Sequence, residues 1–467
     1  MAEVLKHRFR WFILAIGMVC FMSLASNASV FNMVVVCMAS DSNTTILETF
    51  PSLDYTQYEI TQTNWALGLG TALATIPFSE VYSRYGAKYP FFGACILSAL
   101  ATALLPFGAE NNFVWLLLCR VCQGIAFAAD FASVGLLCSK WSTLKQSGLF
   151  ISLITIYGPL SGGFTNVLSG IVCDTTYGWP MVYHLHAVVG IVAALLWLVF
   201  YEDNPAVSRR VSPRELEKIQ RGRAEKELDF GEPAPYMLLL KDPIIWSIWF
   251  SGAMEVFSTN FLSVYAPLYI RYALGYTVEF TGYYSGISRS MQIPTRLLVG
   301  FFGDEVVCLS EKSRVIMYNT IALIGGGISI LLVPLTSYTT PFMAIVFISM
   351  VNLTTGVCSC GYWQSAILYS RQHSHFVMAV ILFFKCVNLF LGPLLVAILV
   401  PTMDHKGQWA SIFIGVGILM VIAGLVFVKY SEVEPAKYLE KSEKVTVQFP
   451  EEDDQTVKGE QLKVSSV

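Results

Sequence analysis

The chain has 467 residues, of which 55% are hydrophobic and 13% charged, with a formal net charge of −3. Soluble domains carry about 25% charged residues, so this composition argues against a soluble enzyme and rules out a disordered chain, a collagen or a small disulfide scaffold. Without a basic excess, no nucleic-acid partner is expected. The eleven Cys lie almost entirely inside apolar runs, where they read as small hydrophobes. Clustered His are missing beside Cys119-x-x-Cys122 and Cys358-x-Cys360, so no metal or other cofactor is expected.

A helix needs about 20 apolar residues to cross the hydrocarbon core. Uncharged stretches of that size cover residues 11–40, 60–79, 89–109, 146–173, 181–201, 315–370 and 407–428. The run 315–370 is long enough for two spans folded near residues 337–341. Four further runs, 113–135, 244–270, 281–303 and 376–400, carry isolated ionisable residues. These make twelve spans. Helices satisfy every backbone group within their own segment, so the predicted fold class is an all-α polytopic membrane protein. The first uncharged run is 30 residues, too long for the apolar part of a cleaved signal peptide.

Loop charge predicts the orientation. Residues 39–63 hold Asp41, Glu48, Asp54 and Glu59 without Lys or Arg, while Lys6, Arg8, Arg10, Arg84, Lys88, Lys140, Lys145, Lys312, Arg314 and Arg371 fall on the opposite face. Both termini are therefore expected in the cytosol, with Asn43-Thr44-Thr45 as a glycosylation sequon on the outer side.

The predicted organisation is a cytosolic N-terminus (1–10), a six-helix bundle (11–201), a charged cytosolic linker (202–243), a second six-helix bundle (244–430) and a disordered cytosolic tail (431–467). Between residues 202 and 242 there are eight Lys or Arg and nine Asp or Glu, and Ser212-Pro213-Arg214-Glu215 reads as the start of a short amphipathic helix. The two bundles share landmarks. Gly158-Pro159-Leu160 recurs as Gly392-Pro393-Leu394, and Gly178-Trp179 as Gly407-Gln408-Trp409, at nearly one offset. The turn Ser83-Arg84-Tyr85-Gly86-Ala87-Lys88 corresponds to Gly300-Phe301-Phe302-Gly303-Asp304. Such repetition indicates a duplicated six-helix unit with a site between the halves.

These landmarks resemble the major facilitator superfamily: the basic turn at 83–88, Arg120-Val121-Cys122-Gln123-Gly124, and the twelve-span plan. Within it the chain resembles the anion–cation symporters related to sialin, the vesicular glutamate transporters and the sodium-phosphate cotransporters. The matching pieces include Ile76-Pro77, Arg84-x-Gly86-Ala87-Lys88, Trp141, Leu168-Ser169-Gly170-Ile171, Ser212-Pro213-x-Glu215, Pro267 with Tyr269, and Gly407-x-Trp409. The resemblance implies transport of a small anion by two bundles around a central site. Where relatives carry an arginine in span one and a glutamate in span four, this chain has Ala28 and Phe127, and Glu255 stands where the glutamate transporters have an arginine.

Ionisable groups at membrane depth need a partner or a function. Arg120 could grip a carboxylate or phosphate with two parallel hydrogen bonds, or brace helices, and Gln123 shares its face. Arg289 and Arg296 are seven apart, and Arg289 and Lys385 are candidate substrate cations. Glu255 and Asp130 are the candidate proton or sodium sites, and each could equally be a structural partner of a cation. Arg84, Lys88 and Asp304, with the bendable Gly158-Pro159 and Gly392-Pro393, are candidate gating residues. Gly158-Pro159-Leu160-Ser161-Gly162-Gly163 also resembles a stretch found in exchangers of the superfamily.

The expected protein is thus a monomeric secondary transporter of a small organic or inorganic anion, coupled to a proton or sodium gradient. Its expected place is the plasma membrane or an endomembrane vesicle. An exchanger or neutral-solute carrier, and a non-transporting receptor or scaffold, are the alternatives. No nucleophile–base constellation points to an enzyme.

Overall fold

The computed structural model describes residues 8–38, 53, 55–143, 150, 153–220, 236–302, 309–336, 338–370 and 374–436. Asn43, Asp304, Lys145, Arg371 and the tail beyond residue 436 lie outside them. Among the described residues every regular element is helical. In the first half the spans are Phe9–Met38, Gln57–Tyr85, Lys88–Asn111, Phe113–Trp141, Tyr157–Cys173 and Gly178–Phe200, numbered one to six. In the second half span seven is Pro243–Leu268, span eleven Ser374–Leu399 and span twelve Lys406–Tyr430. The three between them are interrupted. Span eight is Val278–Ser290 followed by Gln292–Phe302, and span nine is Glu311–Thr320 and Gly326–Thr336 joined by the π-turn Ile321–Gly325. Span ten is Pro341–Thr355 and Tyr362–Ser370 joined by the 3₁₀ turn Gly356–Cys360. The uncharged runs thus become twelve spans in two six-helix bundles. Hydropathy reads each of the three interrupted spans as continuous, and in span eight the backbone divides at Met291.

The first N–H groups of each helix have no partner within it and must find one elsewhere. Thr56 and Glu59 form a reciprocal capping box at span two, Asn112 accepts from the Val114 amide at span four, and Asp242 accepts from the Ile244 amide ahead of Pro243 at span seven. Span one has no acidic residue in its own first turn. The linker supplies one: the amides of Phe9 and Arg10 donate to the Glu215 carboxylate at 3.1 and 3.0 Å. Glu215 sits on the short helix Pro213–Gln220 and is buried, so the linker is tied to the entry of span one.

Gly86 turns the chain between spans two and three with φ 75°, a conformation glycine adopts without a Cβ clash. A Cβ there would come within 2.5 Å of the Asp203 carboxyl group. Asp203 accepts from the amides of Ala87 and Lys88, and Lys88 Nζ pairs with Glu202 at 2.6 Å. The basic turn is thereby fastened to the end of span six, within its own half.

Apolar packing distinguishes the two ends of the molecule. At the end far from the linker one core runs through both halves, from Val30, Phe31 and Val34 on span one to Phe261, Tyr269 and Phe413. At the linker end there are two separate cores. One contains Phe9, Trp141 and Trp197 of the first half, the other Ile245, Trp249 and Tyr362 of the second. Spans five and eight meet across the interface, where Cβ atoms built on Gly170 and Gly282 would lie 2.9 and 2.6 Å from the opposing Cα. Only side chains of hydrogen permit that approach.

A disulfide joins Cys37 to Cys173, with Cα atoms 6.1 Å apart, at the far ends of spans one and five. This corrects the reading of the cysteines as buried hydrophobes alone. The two are 136 positions apart, in separate apolar runs, and only helix pairing brings them together.

Candidate functional site

A cavity of about 170 Å³ lies between the halves, walled by spans one, two, four, five, seven, eight and eleven. Arg289 and Lys385 supply positive charge to its wall, and no Asp or Glu is among the described residues that line it. Gly158, Gly392 and Pro393 also face it, while Pro159 is buried beside it. A Cβ on Gly158 would meet nothing within 4 Å, and one on Gly392 only the Tyr265 ring at 3.9 Å. These glycines keep the space open.

Arg289 reaches the wall from span eight past Gly162 of span five, where a Cβ would lie 2.6 Å from Arg289 Cγ. The Gly-Pro-x-x-Gly-Gly stretch therefore makes room for an arginine of the other half. Nη1 of Arg289 donates to Asn352 at 3.2 Å. Lys385 Nζ stands 5.2 Å from the centre of the Phe127 ring, a cation–π arrangement across the halves.

The candidate coupling carboxylates stand one layer behind. Asp130 is fully buried, and its Oδ2 accepts a short hydrogen bond from the Tyr157 hydroxyl while Oδ1 has no hydrogen-bond partner among the described residues. Tyr157 itself lines the cavity, and the charge of Lys385 acts on Asp130 from span eleven. Glu255 accepts from Tyr362 Oη at 3.1 Å, under the charges of Arg296 and Arg289. Arg296 donates to the Thr155 carbonyl at 3.2 Å, so the two span-eight arginines diverge, one to the cavity and one to the start of span five.

Arg120 lies beside the cavity and is fully buried. Its guanidinium donates to the carbonyls of Thr63 and Ala28 and to the side chains of Gln123 and Asn64, at 2.8 to 3.4 Å, and stacks 5.2 Å from the Phe31 ring. Gln123 in turn donates to Thr102 at 2.8 Å. This network joins spans one, two, three and four. Arg84 pairs with Glu80 one turn earlier at 2.6 Å, both well exposed, and Lys88 with Glu202.

Sequence reasoning overlooked the amides and phenols of the wall, Asn32, Asn260, Asn388 and Tyr265, because uncharged polar residues raise no alarm in an apolar run. Tyr157, the link between Asp130 and the cavity, carries no charge and so gives no such signal either.

The profile of the Major Facilitator Superfamily matches residues 16–393. The chain is 24% identical over 368 residues to sodium-dependent phosphate transport protein 1 of Mus musculus, covering 77% of this chain and 78% of that protein. It is 23% identical to the probable small intestine urate exporter of Homo sapiens, over 78% of this chain and 73% of that one. With human sialin the identity is 21% over 81% and 77%. The fold is similar to that of a bacterial homologue of the human lysosomal transporter Spinster, in an inward-facing and occupied conformation. That match has a TM-score of 0.65 at 13% identity and covers 90% of this chain and 97% of the other. Similarity to the inward-open xylose transporter XylE from E. coli gives the same score at 14% identity, over 93% and 99%.

Proposed function

The chain belongs to the Major Facilitator Superfamily, and on that premise we propose that it is a secondary transporter carrying a small anion by alternating access. The observation that carries this reading is the charge of the central cavity, with Arg289 and Lys385 in the wall and no lining carboxylate among the described residues. The carboxylates that balance these cations, Asp130 and Glu255, stand behind the wall, so positive charge is what an incoming solute meets, which favours an anion. The names of the relatives, a phosphate transport protein, a urate exporter and sialin, agree with an anionic solute.

The basic residues of the linker end support a cytosolic side for it, and the Cys37–Cys173 disulfide suits an oxidising compartment at the far end. With the core continuous at the far end and divided at the linker end, the arrangement is closed outward, and a shift to the opposite state would carry the cavity's contents across. Asp130, reached through Tyr157 and facing Lys385, is the leading site for a coupling proton or sodium ion, with Glu255 the second. Exchange of one anion for another is the second reading, favoured by the arginine-accommodating glycine at position 162.

The test is uptake into proteoliposomes across phosphate, urate and organic acids, with imposed pH and sodium gradients. Gradient-driven uptake of an anion is expected, with Lys385→Ala and Arg289→Ala each weakening its affinity by tenfold or more. Uptake confined to neutral solutes, or affinity unchanged in both variants, would overturn the proposal.

A further inference from the structure

Four polar atoms on the cavity wall have no hydrogen-bond partner within the described chain: Tyr265 Oη, Asn388 Nδ2, Arg289 Nε and Asn32 Oδ1. Tyr265, Asn388 and Asn32 are 2%, 9% and 4% exposed. The contrast with Asn64 on the same wall is informative, because its amide nitrogen donates to Ile60 and its oxygen accepts from Arg120. Buried polar groups in folded chains are paired, and those that are not call for a partner from outside the chain.

Their placement is ordered. Lys385, Asn388 and Gly392 follow one another at three- and four-residue steps, so they share a face of span eleven. The Tyr265 ring of span seven lies against Gly392. At about 1.5 Å per residue, Asn388 stands about 4.5 Å and Gly392 about 10 Å farther along the axis than Lys385, toward the far end. The cations and the uncharged groups therefore form a ladder, positive nearest the linker end and neutral hydrogen-bonding beyond it.

We infer that Tyr265 and Asn388, with Asn32 opposite as acceptor, form a subsite for a hydroxyl group of the transported anion. On this account the ligand is an organic anion whose hydroxyl lies a few bonds from its charged head, rather than a bare inorganic anion. The inference rests on the anion reading above and specifies which anions that cavity prefers. Tyr265 and Asn388 donate to the hydroxyl oxygen and Asn32 Oδ1 accepts a hydrogen bond from its O–H, which satisfies three of the four orphaned atoms. Arg289 Nε is left for the charged head. A site built around a hydroxyl discriminates against the analogue lacking it, since its own polar atoms then stay unpaired.

The experiment measures binding to the purified full chain in detergent, by ligand-induced thermal shift across concentration. The probes are matched pairs: 4-hydroxybutyrate and butyrate, gluconate and hexanoate, 4-hydroxyphenylacetate and phenylacetate, with inorganic phosphate alongside. In at least one pair the hydroxylated member should bind about tenfold more tightly or better. Tyr265→Phe keeps the ring that packs near Phe261 and Trp409 and removes only the hydroxyl. In Tyr265→Phe and in Asn388→Ala the preference should fall toward unity while affinity for the deoxy partner is kept. A merely structural role would lower melting temperature and leave the preference intact, which overturns the subsite. So does equal binding of both members of every pair, an outcome that leaves the anion reading standing. Binding of none of the anions overturns that reading and this inference with it.

Discussion

Tyr157 stands between the central cavity and Asp130: it lines the space, while its hydroxyl is hydrogen-bonded to a carboxylate that is not part of the cavity wall. Through this contact the occupant of the cavity and the charge of a fully buried group on span four are joined by a single side chain. Glu255 has a tyrosine partner too, but Tyr362 is not part of the cavity wall. The two carboxylates are therefore not equivalent.

Asp130→Asn is accordingly expected to abolish uptake driven by a proton or sodium gradient while sparing exchange of substrate for substrate. Tyr157→Phe should weaken the gradient dependence without removing it. Glu255→Gln should mainly lower thermal stability, because it keeps an acceptor for Tyr362 but removes the negative charge beside Arg296 and Arg289. Parallel measurements of driven uptake and exchange in proteoliposomes check this, and wild-type gradient dependence in Asp130→Asn refutes it.

For Arg120 the expected phenotype is structural. Its donors bind carbonyls and amides of spans one, two and four, so Arg120→Ala leaves Gln123 Oε1 and Asn64 Oδ1 without their donor and removes the second hydrogen bond to the helical carbonyls of Ala28 and Thr63. Each stranded buried group costs about 1–3 kcal/mol. Arg120→Lys cannot rebuild a four-way fork from one ammonium. Both variants should melt at lower temperature while anion affinity per folded molecule stays near wild type. A selective loss of affinity at normal stability would instead place Arg120 on the substrate.

At Gly86 a methyl group meets the Asp203 carboxyl and a backbone with φ 75°. Gly86→Ala should destabilise the protein by about 1–3 kcal/mol. It should also loosen the Asp203 contacts that hold the turn to the end of span six. Thermal unfolding in detergent gives the first quantity, and faster proteolysis at residues 83–88 reports the second. An unchanged melting temperature would refute it.

The Cys37–Cys173 bridge encloses 136 positions. Cross-links over loops of that size contribute about 2–5 kcal/mol when native geometry is kept. Cys37→Ser and Cys173→Ser are each expected to lower the melting temperature similarly, and the double variant no further. Thiol labelling from outside sealed cells, after reduction, should reach these two cysteines. Labelling of the native protein at Cys37 without reductant would refute the bridge.

Span count and the division into two related halves follow from the sequence, and two candidate cations stand out in it. Lys385 and Arg289 were legible because a charge inside an apolar run stands out whatever surrounds it. Hydropathy is a property of each segment, and each segment must satisfy lipid alone. What it does not carry is rotation and crossing, and these only tertiary structure decided. They set Arg120 in a network that joins four spans, one of the two roles its position leaves open, put Tyr157 between Asp130 and the cavity, and left Tyr265 Oη and Asn388 Nδ2 without a hydrogen-bond partner among the described residues. Glu215 capping span one and Cys37 meeting Cys173 belong to the same class. Their partners lie 206 and 136 positions away, and no local period encodes a contact made by helices packed side by side.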